Sequence, residues 1–489
     1  MIQRILSFLL LANLSFAQSN FINDSLDVYI NREIKRWNLP GLAIAIVKDG
    51  KVIVSKGYGV SDVTKKTPVT ENTVFQIASC SKAFTGTSLA LLESYGKLNL
   101  DDKVTKYLPY FKMSEEWRTN QITIRDVLSH RIGFATFQSD FLNWNTVKPR
   151  KELIANMVNI TPKYGLREKY GYCNLGFLTA GEIIPAVCDT SWDDYLKYHY
   201  FIPLGMNNTH TRFDDFKKDA NASKAYTLVN GVLTEITPAN VDNLGPAGSV
   251  VSCVNDMSKW VMMQIANGKY NGKQIVPASV IQNTRFPNTI VSKEQTYGLG
   301  WFMEEENGKK VVEHDGGANG FLSKTVLIPE EKAGFVILTN SDGQYLFEAL
   351  GKILMREITG QKYYDYSPFY YTGFEMSSKG EWAKIEDLRK RASSYKSKPE
   401  DYKKLEGTYS NKVYGKITVT AKDKFAEVSF EFHPQYKAKL QFISSSKLMV
   451  EYNDPVLGVK EVGYKAEEKS LELRVNDFVD MDPYWFTKL

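Results

Sequence analysis

The chain is poor in the residues that build metal centres and disulfide scaffolds. Its 489 residues include only four cysteines and five histidines. Cys80, Cys173, Cys188 and Cys253 are too sparse to staple a fold, and in an oxidising compartment they allow at most two bridges in three pairings. No C-x-x-C occurs, and His130, His199, His210, His314 and His433 show neither H-E-x-x-H nor another paired ligand spacing. No metal and no other cofactor is therefore expected. A strong charge of one sign is also missing. The 61 basic residues against 56 acidic ones leave +5, with no dense Lys/Arg stripe, which excludes the electrostatic footprint of a nucleic-acid binder. No later apolar run reaches the ~18 residues of a membrane span, and no internal repeat occurs.

What is present reads as an ordinary globular composition. Apolar residues are 43% and charged residues 24%, so neither disorder nor a fibrous architecture is expected. The start of the chain carries its own signal. Arg4 precedes an apolar run from Ile5 to Leu14, followed by Ser15-Phe16-Ala17, a small-x-small site before Gln18. This is the pattern of a secretory signal peptide over residues 1–17, and its core is too short to span a bilayer. The expectation is an exported protein without a transmembrane segment, secreted or in a bacterial periplasm.

The pattern then alternates between strand and helix. Leu26 to Trp37 is amphipathic. Leu42–Val47 and Val52–Val54 flank Asp49-Gly50, a type I′ hairpin signal. Ala83–Tyr95 reads as a helix, and residues 100–290 as mainly helical. Period-2 strands return at Val311-Val312, Phe321–Ile328 and Gly334–Leu338, before a closing helix Phe347–Ile358. Strands at both ends of one block predict a single antiparallel sheet completed by distant segments, an α+β layered fold with a helical subdomain over 18–360. Residues 361–403 read as a connector. Its aromatic tract Tyr363–Phe374 is expected to pack on a neighbour. From 404 to 489 short alternating strands at ~10-residue spacing predict a small all-β barrel or sandwich.

Three short motifs carry chemistry. Ser79-Cys80-Ser81-Lys82, at a helix start, sets a hydroxyl and an amine one turn apart on one face. A buried Lys loses its proton readily and can accept that of a serine. The pattern recurs at Ser94/Lys97, Ser393/Lys396 and Ser444/Lys447, so alone it does not select Ser79. Tyr172-Cys173-Asn174 offers a phenol for proton relay and an amide to hold a substrate carbonyl, with decoys at Tyr29-Ile30-Asn31 and Tyr409-Ser410-Asn411. His314-Asp315-Gly316-Gly317 ends a strand, and Gly316 and Gly317 permit close approach of a ligand. Taken singly, His314 reads first as a structural histidine.

The order of the three is what discriminates. S-x-x-K early, Y-x-N about 90 residues later and H-x-G on a late strand resemble the serine β-lactamase and penicillin-binding-protein family, including class C β-lactamases, D-aminopeptidases and esterases. Ile122–His130, Pro203-Leu204-Gly205-Met206, Ala247-Gly248-Ser249, Tyr297–Trp301 and Gly317–Phe321 extend the resemblance over about residues 25–360. The resemblance implies a β-lactamase/transpeptidase-like fold with Ser79 as acylated nucleophile and Lys82 as its base or relay. It implies Tyr172 in proton transfer, Asn174 on the substrate, and the backbone N–H groups of Ser79 and Gly317 as oxyanion hole.

His314 stands where most relatives carry a Lys, which leans the expectation towards peptidases and esterases. The implied substrate is a small molecule or peptide, cell-wall peptide among the candidates, with D-amino-acid peptides, amides or esters favoured. A true β-lactamase and a non-catalytic cell-wall-binding homologue are the alternatives. The tail resembles a lipocalin-like accessory domain. Cys80, Cys173 and Cys253 would converge on one cleft, either bridged or as buried thiols, and His130 is expected to be buried and structural. The oligomeric state stays open.

Overall fold

The computed structural model describes residues 21–489; the expected signal peptide lies outside the described residues. The central element is a nine-stranded antiparallel sheet. Its middle pairs strand Gly41–Lys48 with Lys51–Asp62 on one side and with Ala333–Thr339 on the other. Strands Phe321–Ile328, Lys309–Ala318 and Phe302–Glu306 continue outwards from Ala333–Thr339. The N-terminal hairpin and the late strands thus form one sheet. The hairpin turns through Asp49 and Gly50, both at positive φ (50° and 73°), as a type I′ turn requires.

Strand Gly41–Lys48 is apolar on both faces because helices cover both. Leu42, Ile44 and Ile46 pack with Phe335 and Ile337 against helices Leu26–Arg36 and Leu346–Ile358. Ala43, Ala45 and Val47 belong to the opposite core, which includes Met257, Trp260 and Val261 of helix Val254–Ile265. That second face also carries the helical layer. Helix Lys82–Ser94 is buried from Lys82 to Leu92, all round rather than along one stripe, as a central helix must be. Helix Asn174–Val187 belongs to the same core.

The aromatic tract after residue 360 packs on the N-terminal helix. Tyr363 stacks on Phe21 at 5.3 Å, while Tyr371 and Phe374 close on Trp37 at 5.1 and 5.6 Å. The tract runs into a 28-residue helix, Ser367–Ser394. A short helix, Pro399–Leu405, then leads into a closed eight-stranded antiparallel barrel of lipocalin-like, consecutive strand order. Strand Gly407–Asn411 closes on the last strand, Tyr484–Lys488. Period-2 reading finds five of these strands. Tyr409-Ser410-Asn411, at the opening of the tail, lies in the first strand; the reading misses Val459–Lys465, where inward and outward residues do not alternate cleanly, and the last strand, Tyr484–Lys488, although its residues do alternate.

Candidate active site

Three segments distant in sequence meet between the sheet and the helical layer. The first leaves strand Phe75–Gln76, makes a 3₁₀ turn over Ala78–Ser81 and enters helix Lys82–Ser94. Ala78 sits at φ 45°, a left-handed conformation that costs a residue with a β-carbon about 1–3 kcal/mol. This strain lies immediately before Ser79, where the turn folds the chain towards the cleft.

Lys82 is fully buried. Its Nζ lies 2.9 Å from Ser79 Oγ, 2.7 Å from Asn174 Oδ1 and 2.7 Å from the Ala247 carbonyl. Burial pulls its pKa down to about 7, against the opposing pull of Asp140, Cys80 and Cys173. A neutral amine has two N–H donors and one lone pair. With Asn174 Oδ1 and the Ala247 oxygen accepting the two donors, the lone pair is left for the Ser79 hydroxyl.

The second segment opens helix Asn174–Val187. Tyr172 lies over Lys82, its ring centroid 4.7 Å from Nζ, and its hydroxyl hydrogen-bonds Ser79. Burial holds the phenol well above its ordinary pKa, with the Ser79 bond opposing. The ring is set by His130, which stacks on it at 4.3 Å and 29° and accepts the Cys173 N–H at 3.0 Å. His130 is placed in turn by the short helix Ile124–Leu128, whose capping box joins Thr123 and Asp126. Arg131 and Arg167 bind Asp126 at 2.7 Å each. His130 is buried as expected, and it also shapes the site.

The third segment is strand Lys309–Ala318. It does not end at His314 but runs on through Gly316 and Gly317. The reason is close packing on the turn that carries Ser79: a β-carbon at Gly316 would stand 2.2 Å from the Ile77 carbonyl and 3.0 Å from the Ser79 nitrogen. Strand Phe302–Glu306 covers only positions 309–313, so 314–318 present a free edge to the cleft. His314 Nδ1 meets the Asp315 carbonyl at 2.6 Å, and Nε2 meets the Tyr297 hydroxyl at 3.1 Å. Nδ1 is thus the protonated nitrogen and Nε2 the acceptor. Burial, reinforced by Lys82, lowers the imidazole to about 3, so His314 is neutral.

Ser79, Tyr172, Asn174, His314, Gly316 and Gly317 all line one cavity of about 350 Å³, with Lys82 beneath its floor. The remaining wall is largely apolar: Phe137, Trp144, Tyr170, Leu244, Phe302 and Leu322, with Phe478 and Val479 contributed by the barrel. Asp140 and Asp315 are the carboxyls on this wall, and no Lys or Arg stands on it among the described residues. Lys324, behind the wall, is occupied by Glu313 at 3.0 Å, Asp315 at 2.8 Å and Glu348 at 3.3 Å.

All four cysteines are free thiols. Cys80 faces the His314 carbonyl at 3.1 Å and Ser323 Oγ at 3.3 Å, so its sulfur is spent on the sheet and joins no bridge. Sequence reasoning missed Asp140, Tyr297, the Ala247 carbonyl and Phe478. Tyr297 and Ala247 stand in recognised stretches. Asp140 opens a single 3₁₀ turn, Asp140–Leu142, and Phe478 lies in a turn between strands, neither with a local signal.

Comparison with known proteins gives the family and the fold. A family model described as Beta-lactamase matches residues 29–359. Protein flp of Staphylococcus aureus strain MW2 is 30% identical over 334 residues, 66% of this chain and 65% of that protein. The unguisins hydrolase ungD' of Aspergillus campestris is 28% identical over 348 residues, 68% of this chain and 64% of its own. The chain therefore spans about 65% of the length of these curated relatives. Among solved structures, the octameric penicillin-binding protein homologue from Pyrococcus abyssi superimposes with a TM-score of 0.62 at 23% identity. That match covers 95% of this chain and 99% of the other, so the likeness of fold includes the barrel.

Proposed function

This chain belongs to the beta-lactamase family, and from that premise we propose that it is a serine hydrolase working through an acyl-enzyme on Ser79. The observation that carries the reading is the environment of Lys82. A buried amine with two acceptors besides Ser79, and a pKa of about 7, is suited to take the serine proton near neutrality. The Ser79 Oγ then attacks the substrate carbonyl carbon, and the carbonyl π electrons move onto oxygen. The backbone N–H groups of Ser79 and Gly317 are the donors for that oxyanion. The proton held by Lys82 passes through Tyr172 to the leaving oxygen or nitrogen, whose bond to carbon breaks. Water attacks the ester in the second half-reaction, giving its proton back through the same groups and releasing Ser79.

We assign the substrates to uncharged or amine-bearing esters and amides, D-amino-acid amides and peptides among them. The neutral His314 and the absence of Lys or Arg from the described cavity wall support this, because neither offers a partner to a substrate carboxylate. Export by way of the signal-like segment 1–17, to a periplasm or the medium, completes the proposal. Amino-terminal sequencing of the secreted protein should begin at Gln18.

The deciding experiment is labelling with a fluorophosphonate probe together with hydrolysis of p-nitrophenyl esters, D-amino-acid amides and nitrocefin. Wild type is expected to label and to turn over esters or amides, while Ser79→Ala does neither. Labelling that survives in Ser79→Ala overturns the assignment. Nitrocefin turnover faster than every ester and amide would replace it with a β-lactamase.

A further inference from the structure

The barrel does more than close one wall of the cavity. Segment 137–147 leaves the helical layer and enters the barrel mouth. There the Phe141 ring lies among Tyr414, Phe430, His433, Tyr436 and Tyr484, stacked on His433 at 4.6 Å and 10°. The Phe141 N–H donates to Asp480 Oδ2 at 3.2 Å, and its carbonyl meets His433 Nε2 at 2.9 Å. Tyr414 donates to the same Asp480 oxygen at 3.2 Å. The residue beside Phe141 is Asp140, whose Oδ2 accepts from Asn174 Nδ2 at 2.6 Å, while Asn174 Oδ1 accepts from Lys82.

We infer that Asp140 is a positioning residue for Lys82 and that the barrel, through Phe141 and Asp480, holds Asp140 in place. A carboxylate only accepts hydrogen bonds. It therefore locks the Asn174 amide with its nitrogen towards Asp140 and its oxygen towards Lys82. Without that lock the amide is free to turn its NH₂ onto the amine and displace Lys82 from Ser79. The barrel is then part of the machinery that orients the base. This rests on the acyl-enzyme reading above and extends it to a domain that carries none of its motifs.

The charged and titratable neighbours are few. Facing Lys82 are Asp140, Tyr172, Cys80, Cys173, His130 and His314. Facing Asp140 are Asp480, Lys82, Tyr172 and Cys173, with Asn174 and Asn143 as donors. Burial and the neighbouring Asp480 raise Asp140 to about 7, against the Asn174 and Asn143 hydrogen bonds and the charge of Lys82.

The test compares kcat and KM for a p-nitrophenyl ester from pH 5 to 9, in the full chain, for wild type, Asp140→Asn, Phe141→Ala, Asp480→Ala and Asp480→Asn. Asp140→Asn is expected to lower kcat at least tenfold with little change in KM. It should also move the acid limb of kcat to lower pH, because the charge that favours protonated Lys82 is gone. Phe141→Ala and Asp480→Ala should lose several-fold in kcat, and Asp480→Asn, which keeps an oxygen acceptor for the Phe141 N–H, should recover most of it.

The inference is overturned if Asp140→Asn keeps the wild-type kcat and pH limb, or if all variants lower only the melting temperature. Should Asp140→Asn not fold, the Asp480 pair decides, and equal activity of Asp480→Ala and wild type refutes the coupling. Ser79→Ala, run alongside, separates the two ideas. If it remains active, the acyl-enzyme reading fails; if it is dead while the Asp140 and Asp480 variants are normal, only the coupling fails.

Discussion

A buried amine that is neutral in the native state and charged in the unfolded chain leaves a signature in stability. Burial takes Lys82 from its ordinary 10.5 to about 7. At about 1.4 kcal/mol per pH unit between the two values, holding Lys82 protonated inside the fold costs about 5 kcal/mol. Between pH 7 and 10.5 the unfolded chain binds a proton at this site that the native state does not. Stability therefore rises with pH across that window by about 1.4 kcal/mol per unit, and the slope vanishes below pH 7.

Lys82→Met keeps the volume and removes the titration. It also leaves Asn174 Oδ1 and the Ala247 carbonyl without their donor, at about 1–3 kcal/mol each, but that loss does not depend on pH. The difference between Lys82→Met and wild type should accordingly move against the variant by about 2.7 kcal/mol from pH 7 to pH 9. The assay is urea unfolding at pH 6, 7, 8 and 9, followed in the transition reported by the buried Trp192, Trp260 and Trp301. Asp140 shifts the onset because its charge acts on Lys82, but the sign is fixed. Difference values that stay constant from pH 7 to 9 would mean that Lys82 is charged in the native state throughout, and the base assignment would be refuted. The wild-type enzyme should show the same group kinetically, as a kcat/KM that rises through about pH 7 to a plateau.

Other consequences can be checked with simpler measurements. Gly316→Ala drives a methyl into the Ile77 carbonyl and Ser323 Oγ at 2.2 and 2.4 Å; it should lower stability by about 1–3 kcal/mol and cut kcat at least a hundredfold, as seen by thermal unfolding and ester hydrolysis. Phe478→Ala removes the barrel ring that a Gly317 β-carbon would meet at 3.0 Å and should lower KM for bulky acyl groups several-fold while leaving acetate esters unchanged. Titration with a thiol reagent should find the half-buried Cys188 reacting first and Cys80, Cys173 and Cys253 only on unfolding. Reducing agent should not alter the melting temperature, since no bridge exists to break.

The site was legible in the sequence where a local rule forces it. Lys82 must follow Ser79 by three residues because one helical turn brings the two together, and that spacing can be read directly. Tyr172 and Asn174 share a helix start, so their joint direction is local as well. The hairpin at Asp49-Gly50 and the helix at Leu346–Ile358 follow from turn chemistry and the 3.6-residue period. Other features were not legible, for definite reasons. Strand Phe302–Glu306 carries three glutamates at its end and hides its alternation. The continuation of the His314 strand through two glycines follows from the contact with Ile77, which no local pattern encodes. His130 reads as a core histidine until its ring is seen against Tyr172.

By itself, the sequence determined the order of the chemistry-bearing residues, the partition between a sheet closed by both ends of one block and a β-rich tail, and the absence of a metal-ligand pattern, because each depends on spacing along the chain. The tertiary structure decided the rest. It neutralised His314 by burying it beside Lys82, lowered Lys82 by burying it, and brought Phe478 to the wall of the Ser79 cleft and Asp480 to Phe141 next to it, each more than 300 residues away in sequence. The physical reason is common to all three. Desolvation, hydrogen-bond partners and the shape of a cavity are properties of what surrounds a residue in space, and here most of those surroundings come from other parts of the chain.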